Sequence, residues 1–416
     1  MDQRGTTAAH ADDTAVVGAT TEFEPDVMDL LVETLRRAVR LELPAVGTDT
    51  LLGALVMGDT DAGAAIAPGM RKAGSLSGVI SGRAGRGWVS DDEAHGEPVA
   101  AGAAADATEI DAAWREARWR FGLGSRGSAS ESNPVLPRTT GAMRACLWLA
   151  IRSARAEGTI SVRCRHVARA LLDLPDSRAR EALLLQRLDT AAAAAALDGL
   201  DANAPAETEG PESRGVTLLR RAGTLGKDGN RLTRALTSWT SGSSVNGSPV
   251  LFAVSVEAVR QAVRSGRGAA EPVDLLLGVL ALDRALSVAG RAVPGSPAAS
   301  NSAAALLRRH GVRQVSLVSS ASAIPSGAVP VGQGEGEGGG SVRLSASADR
   351  IMALARLSAA EHGSPTVGTV HLLSALLDAS ATDADAEDAG TVVRLLAAGQ
   401  VDVAALRAEL SLRLGA

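Results

Sequence analysis

The sequence predicts an all-α protein in which one helical repeat occurs four times. Hydrophobic residues make up 45% of the 416 residues, yet aromatic residues make up only 2% and tyrosine is absent. A core of alanine, leucine and valine is typical of tightly packed short helices, whereas strands favour aromatic and alternating β-branched residues. One pattern of apolar residues also recurs along the chain, which indicates a repeated structural unit.

The recurring pattern places four apolar side chains on one side of a short, half-buried helix. In the last copy, Thr369 is suited to cap the helix N-terminus through its hydroxyl, and the apolar residues follow at i, i+1, i+4 and i+5 spacing. The four copies are Leu51, Leu52, Leu55 and Val56; Val167, Ala168, Leu171 and Leu172; Leu275, Leu276, Val279 and Leu280; and Leu372, Leu373, Leu376 and Leu377. Helical runs around the copies predict a unit of four helices, A to D, with this pattern on helix B.

The first domain is predicted over residues 24–201, after a polar tail at residues 1–23 that we expect to be disordered. Pro25 suits the first turn of a helix, and Pro68 interrupts the third helix of the first repeat. The domain consists of repeat 1 (24–80), an exposed insertion rich in Gly, Ala and Asp (81–108), a bridging amphipathic helix (110–121) and repeat 2 (134–201).

The second domain is predicted over residues 250–416, after a linker at residues 202–249 that is rich in Pro, Gly, Ser, Thr and Asn. The linker contains one short helix, at either residues 216–222 or residues 232–239. The domain consists of repeat 3 (250–317), a flexible Gly-rich connector (318–340) and repeat 4 (341–416).

The best-preserved copy resembles a known family. Residues 367–378 have the sequence VGTVHLLSALLD, and LLAAGQVD follows at residues 395–402. This pairing resembles the Clp N-terminal repeat, and over the four copies the resemblance covers about two thirds of the chain. Two such repeats form the all-α N domain of Clp unfoldases such as ClpC and ClpA. The resemblance therefore implies two Clp-N-like domains, each a pseudo-twofold pair of four-helix repeats.

The resemblance also implies a function without catalysis. N domains of this family recruit clients and adaptors, and they are the target of certain cyclic-peptide antibiotics. A chain with this fold and no motor is expected to be a protein- or peptide-binding module linked to Clp-dependent proteolysis. It would act as an adaptor, a decoy or a sequestering protein, with a Clp unfoldase, its clients or adaptors, or cyclic peptides as partners.

One binding site of the family can be followed residue by residue. In ClpC-like N domains, the glutamate before the histidine of the motif GTEH helps to hold the guanidinium group of phosphoarginine. The matching positions here are Asp49, Arg165, Val273 and Val370. Only Asp49 keeps the negative charge, and Arg165 would repel a guanidinium group, so phosphoarginine recognition of the ordinary kind is not expected. The residues alone favour a simpler role for Asp49, as a carboxylate near a helix N-terminus.

The motifs of common enzymes are missing from the sequence. The nearest match to a phosphate-binding loop, GTLGKD at residues 223–228, lacks the required glycine spacing and hydroxyl residue. No G-x-S-x-G motif occurs, and Cys146, Cys164 and His166 lack the spacing of a zinc site. The acidic runs at residues 91–93 and 383–388 are predicted to be solvated loops. We therefore predict no enzyme, no cofactor and no metal; the alternative is a hydrolase or peptidase component with an unrecognised site.

The amino-acid composition limits the possible binding partners and the expected cellular compartment. The net charge is −5, which argues against nucleic-acid binding, and no apolar stretch reaches the ~20 residues needed to span a bilayer. Two cysteines in a chain of this length fit a reducing cytoplasm. The aromatic residues concentrate in the first half, where they form an interaction patch or fill gaps in the core. The aromatic residues in question are Trp114, Trp119, Phe121 and Trp148. His371, in the first turn of its helix, is predicted to serve in packing or capping.

Overall fold

The computed structural model describes most of the chain as short helices. It covers residues 22–69, 74–83, 87–95, 103–125, 136–159, 161–202, 213–222, 224–225, 248–288, 291, 300–314, 317–318, 321, 342–382 and 389–415. These residues form 17 α-helices and four strands of two residues each, which confirms the all-α prediction. The chain divides into two compact units, Met1–Glu212 and Ser213–Ala416.

Several sequence predictions concern residues outside these ranges. They are the tail up to residue 21, the alternative linker helix at 232–239, the acidic run at 383–388 and most of the Gly-rich connector. The last two residues assigned to the tail, Glu22 and Phe23, form a strand instead.

The first unit contains nine helices among its described residues. They are α1 (Pro25–Arg40), α2 (Thr48–Met57), α3 (Asp61–Ile66), α4 (Ser75–Gly82), α5 (Ala103–Ser125), α6 (Gly141–Ala156), α7 (Cys164–Asp173), α8 (Arg178–Leu185) and α9 (Thr190–Ala202). Pro25 lies in the first turn of α1, as predicted. The third helix of repeat 1, against which Pro68 argued, does form, as the short helix α3, which ends before that proline. The bridging helix α5 extends beyond the predicted residues 110–121 in both directions, so it includes the end of the predicted insertion.

Four short strands connect the two halves of the first unit. The strand β1 (Glu22–Phe23) pairs in parallel with β4 (Ser161–Val162), and β2 (Ala45–Val46) pairs in parallel with β3 (Arg138–Thr139). The pairing is reciprocal, because the strand before α1 pairs with the strand after α6, and the strand before α6 pairs with the strand after α1. Two-residue strands have no periodicity, so the sequence could not indicate them.

The core of the first unit lies between the two halves. Helix α5 packs on both α1 and α6, α2 packs on α8, and α3 packs on α7 and α9. Helix α2 is buried along most of its length, from Thr48 to Val56, rather than half-buried as its apolar pattern predicted. The cause is that α1, α3, α4, α7 and α8 all pack around it.

The second unit contains eight helices among its described residues. They are α10 (Arg214–Arg221), α11 (Pro249–Arg264), α12 (Pro272–Val288), α13 (Ala303–Arg309), α14 (Ala346–Glu361), α15 (Thr369–Thr382), α16 (Ala389–Ala398) and α17 (Val403–Leu414). A parallel bridge between Ala270 and Leu344 takes the place that the β2–β3 pair has in the first unit.

Helix α10 lies in the predicted linker but belongs to the second unit. The buried carboxylate of Glu257 on α11 accepts hydrogen bonds from the Ser213 hydroxyl and the Gly215 backbone N–H, both at 2.8 Å. A Cβ at Gly215 would lie 3.0 Å from the Ala253 carbonyl oxygen, so glycine permits this close approach of α10 to α11. The linker therefore does not extend over the whole of residues 202–249.

Candidate functional site

One buried residue, Asp92, joins three helix N-termini in the first unit, two through its carboxylate and one through its backbone carbonyl. Asp92, in the loop at residues 87–95, accepts hydrogen bonds from the Thr48 backbone N–H (2.7 Å), the Thr48 hydroxyl (2.9 Å) and the Arg178 backbone N–H (2.9 Å). Its backbone carbonyl accepts a hydrogen bond from the Ala142 N–H at 2.8 Å. These donors begin α2, α8 and α6, where backbone N–H groups lack helical partners and the helix dipole favours negative charge.

The burial of Asp92 corrects a sequence prediction. Residues 91–93 were expected to form a solvated acidic loop, but the Asp92 side chain is fully buried. For Asp92 the prediction was wrong, because the N-termini of α2 and α8 and the Thr48 hydroxyl replace the hydrogen bonds that water would otherwise supply to the carboxylate. Asp91 and Glu93 are exposed, as expected.

Asp49 places a second carboxylate beside the first. It is buried, and its Oδ1 atom has no hydrogen-bond partner among the described residues. Burial, and next the charge of Asp92, raise the pKa of Asp49 to about 6, while the Arg178 guanidinium opposes the shift. A Cβ at Gly47 would lie 2.5 Å from Asp49 Oδ1 and 2.8 Å from Asp92 Oδ2, so only glycine leaves room for the pair.

The second unit has the same junction without the two charges. Thr369 Oγ1 accepts a hydrogen bond from the Ala303 N–H at 3.3 Å, as Thr48 Oγ1 accepts one from the Ala179 N–H at 3.0 Å. The amide oxygen of Asn301 accepts from the Thr369 N–H at 3.2 Å, in the role of Asp92. The paired carboxylates are thus a feature of the first unit. The hydrogen bond from a helix N-terminus to the threonine hydroxyl is common to both units.

The histidines near the start of two helices have a capping role. His166 Nδ1 accepts a hydrogen bond from the Arg163 N–H at 2.9 Å, and His371 Nδ1 accepts one from the Gly368 N–H at 3.0 Å. His371 was predicted to serve in packing or capping, and this hydrogen bond shows that it caps its helix. Burial lowers the pKa of His371, which keeps the ring neutral and its Nδ1 free to accept.

Arg165 lies at the start of α7 and has its own acidic partner. Its guanidinium contacts Glu157 Oε2 at 2.5 Å, and His166 Nε2 contacts the same oxygen at 2.8 Å. These contacts lower the pKa of Glu157 against the opposing effect of burial. Asp49 and Arg165, which the family resemblance singles out, are therefore engaged in separate contacts inside the first unit.

The predicted interaction aromatics are largely covered. Trp114 is buried in the core, whereas Trp119, Phe121 and Trp148 are half-buried. The Arg152 guanidinium lies 4.7 Å from the centre of the Trp148 ring, in a cation–π contact. The structure favours core filling over an aromatic interaction patch.

Aliphatic side chains form the exposed apolar surface of the first unit. Val89 is 92% exposed and Leu184 is 61% exposed, and Leu185 is also exposed. Glu181 on α8 accepts hydrogen bonds from the Val89 and Ser90 backbone N–H groups, at 2.9 and 2.8 Å. Because Leu184 and Leu185 follow Glu181 by three and four residues, they lie on the same face of α8. We call Val89, Leu184 and Leu185 the Val89 patch.

The Val89 patch has a rigid base. The Arg83 guanidinium contacts Glu181 Oε1 at 2.9 Å and lies 5.6 Å from the centre of the Trp88 ring. No sequence pattern indicates this patch, because the run Leu183-Leu184-Leu185 has the appearance of core.

The chain shows neither a metal site nor a membrane span in its described ranges. There, no group of three or more His, Cys, Asp or Glu side chains is placed to hold a metal ion. No described helix is both long enough and apolar enough to cross a membrane. Comparison with protein-family models, with curated proteins and with solved structures finds no match to this chain.

Proposed function

We propose that the chain is a non-enzymatic binding protein of the Clp N-domain kind. In this proposal, each unit is a pseudo-twofold pair of four-helix repeats that docks a protein or peptide connected with Clp-dependent proteolysis. The chain would act as an adaptor, a decoy or a sequestering protein. The observation that carries the proposal is the Val89 patch, an exposed apolar surface formed by a loop and by the helix α8 to which that loop is hydrogen-bonded.

The reciprocal strand pairing supports the proposed architecture. A twofold axis that relates the two halves of the first unit would exchange β1 with β3 and β4 with β2, and the observed strand pairs are compatible with this exchange. The common junctions at Thr48 and Thr369 extend this similarity to the second unit.

The geometry of the Val89 patch supports binding. Glu181 brings the loop that carries Val89 to the helix that carries Leu184 and Leu185, and apolar side chains grouped at a surface mark interaction sites more often than isolated ones do. Glu181 holds the loop backbone at Val89 and Ser90, so little conformational entropy would be lost when a partner binds. The buried carboxylate of Asp92, by contrast, lies beneath the surface and holds helix N-termini together.

A binding assay with a purified ClpC-type unfoldase tests the proposal. We expect saturable binding of the full chain, weakened at least about tenfold by the double substitution Val89→Asp and Leu184→Asp. Leu412→Asp is the matched control, because Leu412 is 75% exposed but lies on α17 of the second unit. If the double variant and the Leu412→Asp control bind the unfoldase equally well, the Val89 patch is not the binding surface.

A casein assay separates this proposal from the hydrolase alternative. Without added partners, the purified chain is expected to leave casein intact. Together with a ClpC-type unfoldase and its protease, the chain should change the rate of casein degradation. Turnover by the chain alone would show that it is a hydrolase.

A further inference from the structure

The loop at residues 87–95 is held on the first unit mainly by polar contacts. Asp92 is its only fully buried residue, and donors at the starts of α2 and α8 hold the Asp92 carboxylate. Glu181 of α8 holds the loop a second time, through the Val89 and Ser90 backbone N–H groups. The position of the loop therefore depends on one buried anionic side chain.

Asp49 lies beside this anchor. The point where a Cβ of Gly47 would stand is 2.5 Å from Asp49 Oδ1 and 2.8 Å from Asp92 Oδ2, so the two carboxylates are close neighbours. Burial, and next the charge of Asp92, raise the pKa of Asp49 to about 6. Asp49 is therefore neutral in acid and negative at pH 8, and only the negative form places two like charges together.

The other titratable groups around Asp49 do not remove this repulsion. The Arg178 guanidinium of α8 opposes the raised pKa of Asp49 without cancelling the shift. Burial, and next the charge of Asp92, raise the pKa of Cys146 on α6, so its thiol stays neutral. Arg37 of α1 lies one turn further along α2. The titratable side chains of α3 and α7, and the others of α8, are exposed or paired elsewhere; they are Asp61, Cys164, Arg165, His166, Arg169, Asp173, Arg180 and Glu181.

The loop can relieve the repulsion, whereas α2 cannot. Helix α2 is buried from Thr48 to Val56 among five other helices, so a movement of Asp49 would expose core. In the loop, Val89 is already exposed and only Trp88 packs, half-buried, against the core. A displaced loop exchanges its hydrogen bonds for bonds to water, which costs less than exposing a core helix.

We propose that ionisation of Asp49 releases the loop at residues 87–95, so that the loop is docked in acid and opens more often at pH 8. Val89 is three residues from Asp92 in the same loop, so its position beside α8 depends on the same anchor. The Val89 patch is complete while the loop is docked and incomplete while it is open. The inference deepens the proposed function by making this patch pH-dependent, and only its consequence for binding rests on that function.

The direction and the limit of the effect follow from linkage. A carboxyl whose pKa is raised by docking binds its proton more tightly in the docked state. Docking therefore weakens as the pH rises from about 4 to about 6 and changes little above that range. The shift of about two pKa units limits the change in the docking equilibrium to about a hundredfold. The actual change is smaller, because the helices around α2 contribute to the burial of Asp49 as well.

Hydrogen exchange of the full chain tests the inference without any partner. The signal is the exchange of peptides that contain the Val89 and Ser90 amides, divided by the intrinsic exchange rate at each pH. We expect this ratio to be at least about threefold higher at pH 8 than at pH 5, and to depend much less on pH in Asp49→Asn. Peptides from the buried part of α6 are the internal control. The same pH dependence in both chains, or a change of equal size in the α6 peptides, would overturn the inference.

His95 provides the competing explanation, because histidine ordinarily changes charge in the same pH range. Its ring nitrogens lie 3.0 Å from the Pro175 carbonyl oxygen and 3.4 Å from that of Asp91. Both oxygens only accept, so a ring with protons on both nitrogens satisfies both. His95→Gln is therefore the matched control, and it should keep the pH dependence of exchange. Loss of this dependence in His95→Gln, with retention in Asp49→Asn, would assign the switch to His95 and overturn the inference.

Unfoldase binding is a separate readout that distinguishes this inference from the proposed function. At pH 8, Asp49→Asn should bind a ClpC-type unfoldase more tightly than the original chain, because its loop is docked for a larger fraction of the time. At pH 5 the two chains should bind equally. Absence of unfoldase binding at both pH values would overturn the proposed function but not the pH-dependent loop. Exchange that does not depend on Asp49 would overturn the inference whether or not the unfoldase binds.

Discussion

Asp49→Asn should stabilise the first unit at pH 8 and have little effect at pH 4. Burial and the neighbouring Asp92 raise the pKa of Asp49 to about 6, compared with an ordinary value of 3.8. A carboxyl whose pKa is raised on folding binds its proton more tightly in the folded state. Its ionisation therefore lowers the free energy of unfolding as the pH rises from about 4 to about 6. Asparagine keeps the shape of the side chain and removes the charge.

The size of the effect follows from the shift. A shift of about two pKa units at ~1.4 kcal/mol each gives a destabilisation of up to about 3 kcal/mol above pH 6. The attraction between Asp49 and Arg178 is already contained in this pKa, since it opposes the shift. The side-chain amide that the substitution introduces can also donate a hydrogen bond to the neighbouring Asp92 carboxylate.

Urea unfolding at pH 8 and pH 4 measures the difference, with tryptophan fluorescence as the signal. Four of the five tryptophans report on the first unit: Trp88, Trp114, Trp119 and Trp148. We expect a higher urea midpoint for the variant at pH 8 and similar midpoints at pH 4. A variant that is no more stable than the original chain at pH 8 would refute the argument, as would an equal gain at both pH values.

Two further substitutions probe the same junction. Asp92→Ala should lower the free energy of unfolding by about 2–5 kcal/mol, because the Thr48 and Arg178 N–H groups lose their acceptor; the urea midpoint of the first unit reports it. Gly47→Ala should cost at least about 1 kcal/mol, because its Cβ would lie 2.5 Å from the Asp49 carboxylate, and thermal unfolding measures it. Gly78→Ala is the control for helix propensity, since a Cβ there meets no atom within 4 Å, and a similar fall in both glycine variants would contradict the steric argument.

Local patterns were enough to predict the helices but not the junction between them. The spacing of Leu51, Leu52 and Leu55 is a property of one helix, so the sequence indicates α2 directly. Asp92 acquires its environment from Thr48 and Arg178, which are 44 and 86 residues away in the chain. Neither the residue type of Asp92 nor the residue types beside it in the sequence distinguish it from a solvated acidic residue.

The exposed leucines illustrate a different limit of sequence reasoning. Leu184 and Leu185 lie in a run that has the composition of core, yet the inward face of α8 is occupied by Ala179, Ala182 and Leu183. Periodicity indicates which residues share a face, but the surrounding helices determine which faces are covered. The same limit applies to Leu357 on α14, which is 55% exposed although leucine is usually a core residue.

The two units expose apolar surface at different places, and this difference separates their roles. Helix α13 corresponds to α8, because Ala303 and Ala179 donate equivalent hydrogen bonds. In α13 the positions of Leu184 and Leu185 carry Arg308 and Arg309, which form ion pairs with Asp283 and Glu409. The second unit thus has charged residues where the first has the exposed Leu184 and Leu185 of the Val89 patch. If the two units bound one partner in the same way, their exposed faces would coincide; since they do not, we expect two different partners or two different parts of one partner.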